Sequence, residues 1–176
     1  IRDLTVLEFR RVLFRSVAGI SAILFYLVVY STMNLGAFAI ISSVEKDGQE
    51  VAFKDYRGMA SRNPLLSVAM ALFMISLAGF PPTAGFVAKY GLFSAAIAKD
   101  YIWLVIIAVL NTLVSFYFYF RIIVNMYMRN EKEGLQPSMG FLTAGLIALF
   151  VAAVFFLGIT PGYLLEITID VATGAS

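Results

Sequence analysis

The sequence contains no cysteine and no histidine. Those two absences exclude His–Cys zinc sites, iron–sulfur ligation by this chain, His-ligated haem, cysteine nucleophiles and any Ser-His-Asp triad. Charge is scarce as well: 14% of the 176 residues are charged, against about 25% in a typical soluble domain. So few charges cannot cover a water-facing surface, which argues against an ordinary soluble enzyme. The net charge is only +2 and the basic residues form no stripe, so nucleic acid is not an expected partner. What is present is apolar. Hydrophobic residues make up 61% of the chain and the mean hydropathy is +0.88, which points to lipid as the solvent.

The charges that exist are sorted. All but Lys89 and Arg121 fall in short clusters between the uncharged runs 17–44, 63–88, 101–120 and 134–165. Each run reaches the roughly 20 apolar residues needed to cross a hydrocarbon core of about 30 Å. Backbone groups in lipid must be satisfied within their own segment, so the runs are expected to be helices. Residues 1–16 differ, mixing six charges with scattered apolar residues. They read either as a basic juxtamembrane segment or as a leader foreign to the protein, and they carry no functional weight. The expected division is therefore a doubtful leader at 1–16, a transmembrane bundle at 17–163 and a tail at 164–176.

The second span is unusual. A helical pattern from Pro64 is interrupted by Gly79-Phe80-Pro81-Pro82-Thr83-Ala84-Gly85-Phe86 and resumes at Val87. Two adjacent prolines remove two backbone donors, and the flanking glycines permit unusual dihedrals. Thr83 is placed to cap the second half-helix. As one helix, residues 64–98 would be about 52 Å long, too long for a straight span and too short for two with a turn. A discontinuous helix broken at Gly79–Gly85 resolves this. Lys/Arg counting agrees. With one broken span, the 45–62 and 129–133 loops share a side and hold Lys46, Lys54, Arg57, Arg62, Arg129 and Lys132, which makes that side cytoplasmic. The expected fold is an all-α membrane protein with four transmembrane crossings, the second discontinuous, and an outer C-terminus.

Two charges stay inside the apolar runs. Lys89 lies about 15 Å of helix rise from Lys99, a difficult distance for snorkelling. Burying an ammonium is expensive and favours the neutral amine, which suits the group to give and take a proton. The competing reading is an interfacial anchor. Arg121 sits eight residues before Arg129 and is expected to snorkel to the cytoplasmic headgroups. Weaker polar signals are Tyr26, Tyr30 and Asn34 on the first helix and Asn111 and Ser115 on the third, each recurring every fourth residue. Tyr30, Asn34, Asn111 and Ser115 form a candidate polar path. Helix–helix hydrogen bonds are the structural alternative. Gly36, Ala69 and Gly145 are candidates for close packing, and Pro161-Gly162 ends the fourth span.

The stretch 30–41, then Asp55-Tyr56-Arg57-Gly58, Asn63-Pro64 and the run Gly79 through Gly85 to Phe86-Val87-Ala88-Lys89-Tyr90 resembles the antiporter-like membrane subunits of respiratory complex I, the proton-pumping NADH-quinone oxidoreductase. The aromatic run 117–127 around Arg121 is similar too. The resemblance covers 17–163. The broken helix with its lysine also resembles hydrogenase and multisubunit cation/proton antiporter relatives, and a lysine rather than a glutamate at this point favours the N-type subunit.

The resemblance implies a fourteen-helix protein with two inverted repeats, of which this chain would be a C-terminal fragment supplying the last four helices. Pro64 to Ala98 would be the second broken helix and Lys89 the outlet-side lysine of the proton path, its partner glutamate and lysines lying upstream. It implies a translocase subunit with no redox catalysis and no cofactor in this chain, NADH, FMN, iron–sulfur clusters and quinone being used by other subunits. Other membrane-arm subunits and the lipid bilayer would be its partners, and a bacterial inner membrane its location, multi-pass. A cation/proton antiporter or hydrogenase subunit, and a structural bundle without ion transport, are the alternative readings.

Overall fold

The structure, a computed structural model, describes residues 17–44, 53–128 and 140–173. Among these, all regular structure is helical. Helix α1 (Val17–Val44) is followed by a 3-10 turn (Phe53–Tyr56), the one-turn α2 (Met59–Arg62), α3 (Pro64–Ala78), α4 (Ala84–Ile97), α5 (Ile102–Met128), α6 (Phe141–Ile159) and α7 (Pro161–Thr173). Three helices are long and apolar enough to cross a membrane, over Ala18–Val44, Ile102–Met128 and Phe141–Ile159, while α3 and α4 are shorter apolar helices.

The ends of the short helices follow from local chemistry. Pro64 opens α3, where its missing N–H has no intrahelical acceptor to serve. Gly79 closes it with φ 82°, a left-handed conformation that glycine takes without a Cβ clash. The Phe80 amide then bonds the Ile75 carbonyl at 3.2 Å and the Gly79 amide the Ser76 carbonyl at 3.0 Å, the paired bonds of a Schellman ending. Asp100 does the same for α4 at φ 62°, with Tyr101 and Asp100 amides bonded to the Ala96 and Ile97 carbonyls. Helix α4 begins at Ala84, three residues earlier than the sequence pattern suggests. Gly85 is thus inside its first turn.

Helix α1 is the hub, packed against α3, α4, α6 and α7. Phe25, Val29, Met33 and Ile40 of α1 meet Met70 and Phe73 of α3 in a shared core with Ala84 and Ala88 of α4. In lipid there is no water to expel from between helices, so close van der Waals fit holds them together. Gly36 shows how: a Cβ there would enter the Phe73 ring. Ala69 is buried as expected. At Gly145, among the described residues, nothing lies within 4 Å of where a Cβ would be.

The contacts along α1 have an order. Gly36 meets Phe73, Met33 meets Gly85 and Ala22 faces Gly91, so α3 and α4 follow one another down α1 in one direction. Helix α6 ends at the interruption between them, where a Cβ on Gly158 would press on the Ala84 nitrogen and the Pro82 carbonyl at 2.8 and 3.0 Å. Pro161 restarts a helix, and α7 packs along α1 with Leu164 and Leu165 against the core and a 2.7 Å hydroxyl bond between Thr168 and Ser21.

The opposite end of the bundle is tied by the segment before α3. Arg62 donates to the carbonyls of Asp55 and Arg57 at 3.3 and 3.0 Å. From the end of α5, Asn125 donates to the Phe53 carbonyl at 2.6 Å and Arg121 lies 4.9 Å above the Phe53 ring. The segment before α3 therefore meets the end of α5, the helix that precedes the second loop assigned to the same side by the charge count. Tyr56 is buried here, and burial together with the neighbouring Asp55 carboxylate pushes its phenol up to about 12.

Candidate functional site

The site is the gap between α3 and α4. The Schellman bonds use the Ile75 and Ser76 carbonyls, leaving those of Leu77 and Ala78 pointing out of the end of α3. Lys89 reaches them from the second turn of α4, its Nζ donating to Leu77 O at 2.8 Å and, more weakly, to Ala78 O at 3.4 Å. The stem of the side chain passes directly over Gly79, where a Cβ would sit 3.1 Å from Lys89 Cδ. Gly79 thus serves twice, ending the helix and leaving room for the lysine. A helix C-terminus carries about half a negative charge, so an ammonium placed on its free carbonyls is held by both hydrogen bonds and the dipole. Lys89 is half-buried.

The other residues of the interruption have separate places. Pro81 and Pro82 lie in the connecting turn and are exposed, joined by a cis peptide bond. Thr83 stands at the N-cap position, but its hydroxyl donates to the Phe80 carbonyl at 2.7 Å and makes no capping bond. Gly85 is a close-approach residue: a Cβ there would strike the Ser76 carbonyl, and its amide donates to Ser76 Oγ at 3.2 Å.

The remaining polar residues do not converge on this gap by hydrogen bonds. Asn34 Nδ2 donates to the Tyr30 carbonyl at 2.8 Å and Ser115 Oγ to the Asn111 carbonyl at 3.0 Å. Each turns back onto its own helix, as polar side chains in apolar helices do. The Tyr30 ring stacks on Tyr26 at 5.5 Å, and Asn111 is exposed. Among the described residues no side-chain hydrogen bond links the two stripes. The sequence reading missed Ser76, Gly158 and the two free carbonyls. For Ser76 a signal existed, a polar residue in an apolar helix one turn before the break. For the carbonyls none did, since every residue has one.

A transmembrane family model described as NADH:quinone oxidoreductase/Mrp antiporter matches residues 9–115, a stretch that contains α1, the whole interruption and Lys89. The chain belongs to this NADH:quinone oxidoreductase/Mrp antiporter family. Among curated members, NADH-quinone oxidoreductase subunit N of Trichlorobacter lovleyi is 52% identical over 65% of this chain and 24% of its own length. NADH-quinone oxidoreductase subunit N 1 of Chloroherpeton thalassium is 42% identical over 86% of this chain and 32% of its own length. The chain therefore spans a quarter to a third of the family members it matches. Among solved members, a chain of respiratory complex I from Thermus thermophilus with bound aureothin superposes with a TM-score of 0.74 at 29% identity, covering 87% of this chain and 36% of that one.

Proposed function

We propose that this chain is the C-terminal part of an N-type subunit of a proton-translocating NADH-quinone oxidoreductase, and that Lys89 carries protons at a discontinuous crossing made of α3 and α4. One observation supports the reading: the lysine amine sits on the free carbonyls at the end of α3. The order of contacts down α1 supports treating α3 and α4 as one crossing, which gives four crossings in all. The pairing of Phe53 with the end of α5 supports the same-side loops of that topology.

The chemistry is proton handling. A lysine can lose its proton where an arginine cannot, and a broken membrane helix exposes backbone groups that hold water and bias a nearby charge. Lys89 on the Leu77 carbonyl is the resting position of the group. Its proton would pass onward to the outer side and be replaced from titratable groups in the upstream part of the subunit. Redox chemistry, with NADH, FMN, iron–sulfur clusters and quinone, belongs to other subunits in this reading, and the membrane-arm subunits and lipid of a bacterial inner membrane are the partners. A cation/proton antiporter subunit is the second reading, favoured by the Mrp half of the family description; the same lysine would serve it.

The test uses the complete enzyme with the full-length subunit. Lys89→Ala should lower proton translocation per electron pair severalfold. NADH oxidation by an artificial acceptor should stay normal and report assembly. Wild-type translocation in that variant would reduce Lys89 to an anchor.

A further inference from the structure

We infer that Ser76 is a positioning residue for Lys89, capping α4 from the helix on the other side of the break. This rests on the proton-carrying reading of Lys89. The first turn of any helix has amides with no intrahelical acceptor, and a Ser, Thr, Asp or Asn at the N-cap normally supplies one. In α4 the N-cap residue is Thr83, and its hydroxyl is turned away to the Phe80 carbonyl. The acceptor comes instead from α3: the Ser76 hydroxyl oxygen takes the Gly85 amide at 3.2 Å. Ser76 is fully buried, so water cannot take over that bond.

The geometry ties this bond to the lysine. Gly85 and Lys89 are four residues apart, one turn on the same face of α4. Ser76 and Leu77 are adjacent on α3. The Ser76–Gly85 bond and the Lys89–Leu77 bond are therefore two rungs between the same two half-helices. The first joins rigid parts, a backbone amide and a short side chain, whereas the second ends on a flexible lysine stem. With the first rung in place, the stem of Lys89 is laid over Gly79 and its amine falls on the Leu77 carbonyl. The absence of a Cβ at Gly85 lets the two helices approach closely enough for it, because any side chain would strike the Ser76 carbonyl.

Two substitutions in the assembled enzyme test this, Ser76→Ala and Ser76→Cys. Cysteine keeps the buried volume filled while offering only a weak acceptor. The readouts are the position of Lys89 Nζ in the structure of each variant enzyme and the protons translocated per electron pair, with artificial-acceptor activity reporting assembly. In both variants Lys89 should leave hydrogen-bonding distance of the Leu77 carbonyl, and translocation should fall severalfold with assembly intact. Lys89 still on that carbonyl in Ser76→Cys overturns the inference whatever translocation does. A loss confined to Ser76→Ala also overturns it, since that pattern marks a cavity. A displaced lysine in Ser76→Cys alongside normal translocation in Lys89→Ala would leave the positioning role standing and remove the proton reading instead.

Discussion

Lys89 and Tyr56 are both ionisable groups taken out of water, and they are held in opposite ways. Lys89 ends on two carbonyls, an arrangement that needs donors. Lys89→Arg keeps a charge and donors but not a removable proton. It should assemble fully and translocate about as poorly as the alanine variant, measured as protons per electron pair. Tyr56 is kept neutral, its phenol raised from 10.0 to about 12 by burial and then by Asp55. A raised value means the fold prefers the protonated form, so its contribution is complete below pH 10 and is lost as pH rises from 10 towards 12. The midpoint of thermal unfolding should therefore fall across that window, and Tyr56→Phe should flatten the fall. Lys89 drew notice in the sequence because an ammonium in an apolar run has few purposes, and its half-buried place on the end of α3 is what the structure adds. For Ser76 the residue type gave a signal but its role was not legible, because its partner is an amide nine residues away in a separate helix.

At the scale of the element, the break was legible because proline and glycine act on the backbone directly, without reference to neighbours. Its boundary was not: Gly85 read as part of the break, but it is helical and used for closeness to Ser76. Replacing Pro81 and Pro82 together with alanine should lower translocation while leaving assembly intact, since the restored donors favour a continuous helix and draw the α3 carbonyls away from Lys89. Unchanged protons per electron pair in that variant would show that the break is passive. Gly36→Ala is expected to act on packing alone, costing about 1–3 kcal/mol as the buried Phe73 ring is displaced. The midpoint of thermal disassembly of the complex should fall, with activity per assembled complex unchanged. Helix α7 escaped the sequence reading because Pro161 is ambiguous: proline stops the helix before it and starts the helix after it equally well.

Across the whole molecule, charge placement predicts which ends face the cytoplasm, and within these 176 residues, which contain no cysteine, an added thiol is the only one. In the full-length subunit, a cysteine at Ser61 should react with a membrane-impermeant reagent only from the cytoplasmic side, and one at Lys99 only from the outer side. Labelling of both from one side would remove the single-crossing reading of α3 and α4. Three of the apolar runs were readable as span-length helices because the bilayer sets a length scale. Which helix occupies the centre was not, since α1 and α5 are alike in length and hydropathy and differ only in what surrounds them. The joint between α3 and α4 has a mechanical side. No ladder of backbone bonds runs through it, and a lysine amine bridges the two half-rods instead. A bond from a charged donor is about twice as strong as one from a neutral donor. In the proposed function, each proton that left Lys89 would loosen the joint between α3 and α4, and each that arrived would stiffen it, so the proposed carrier of the charge would also be the spring of the element that holds it.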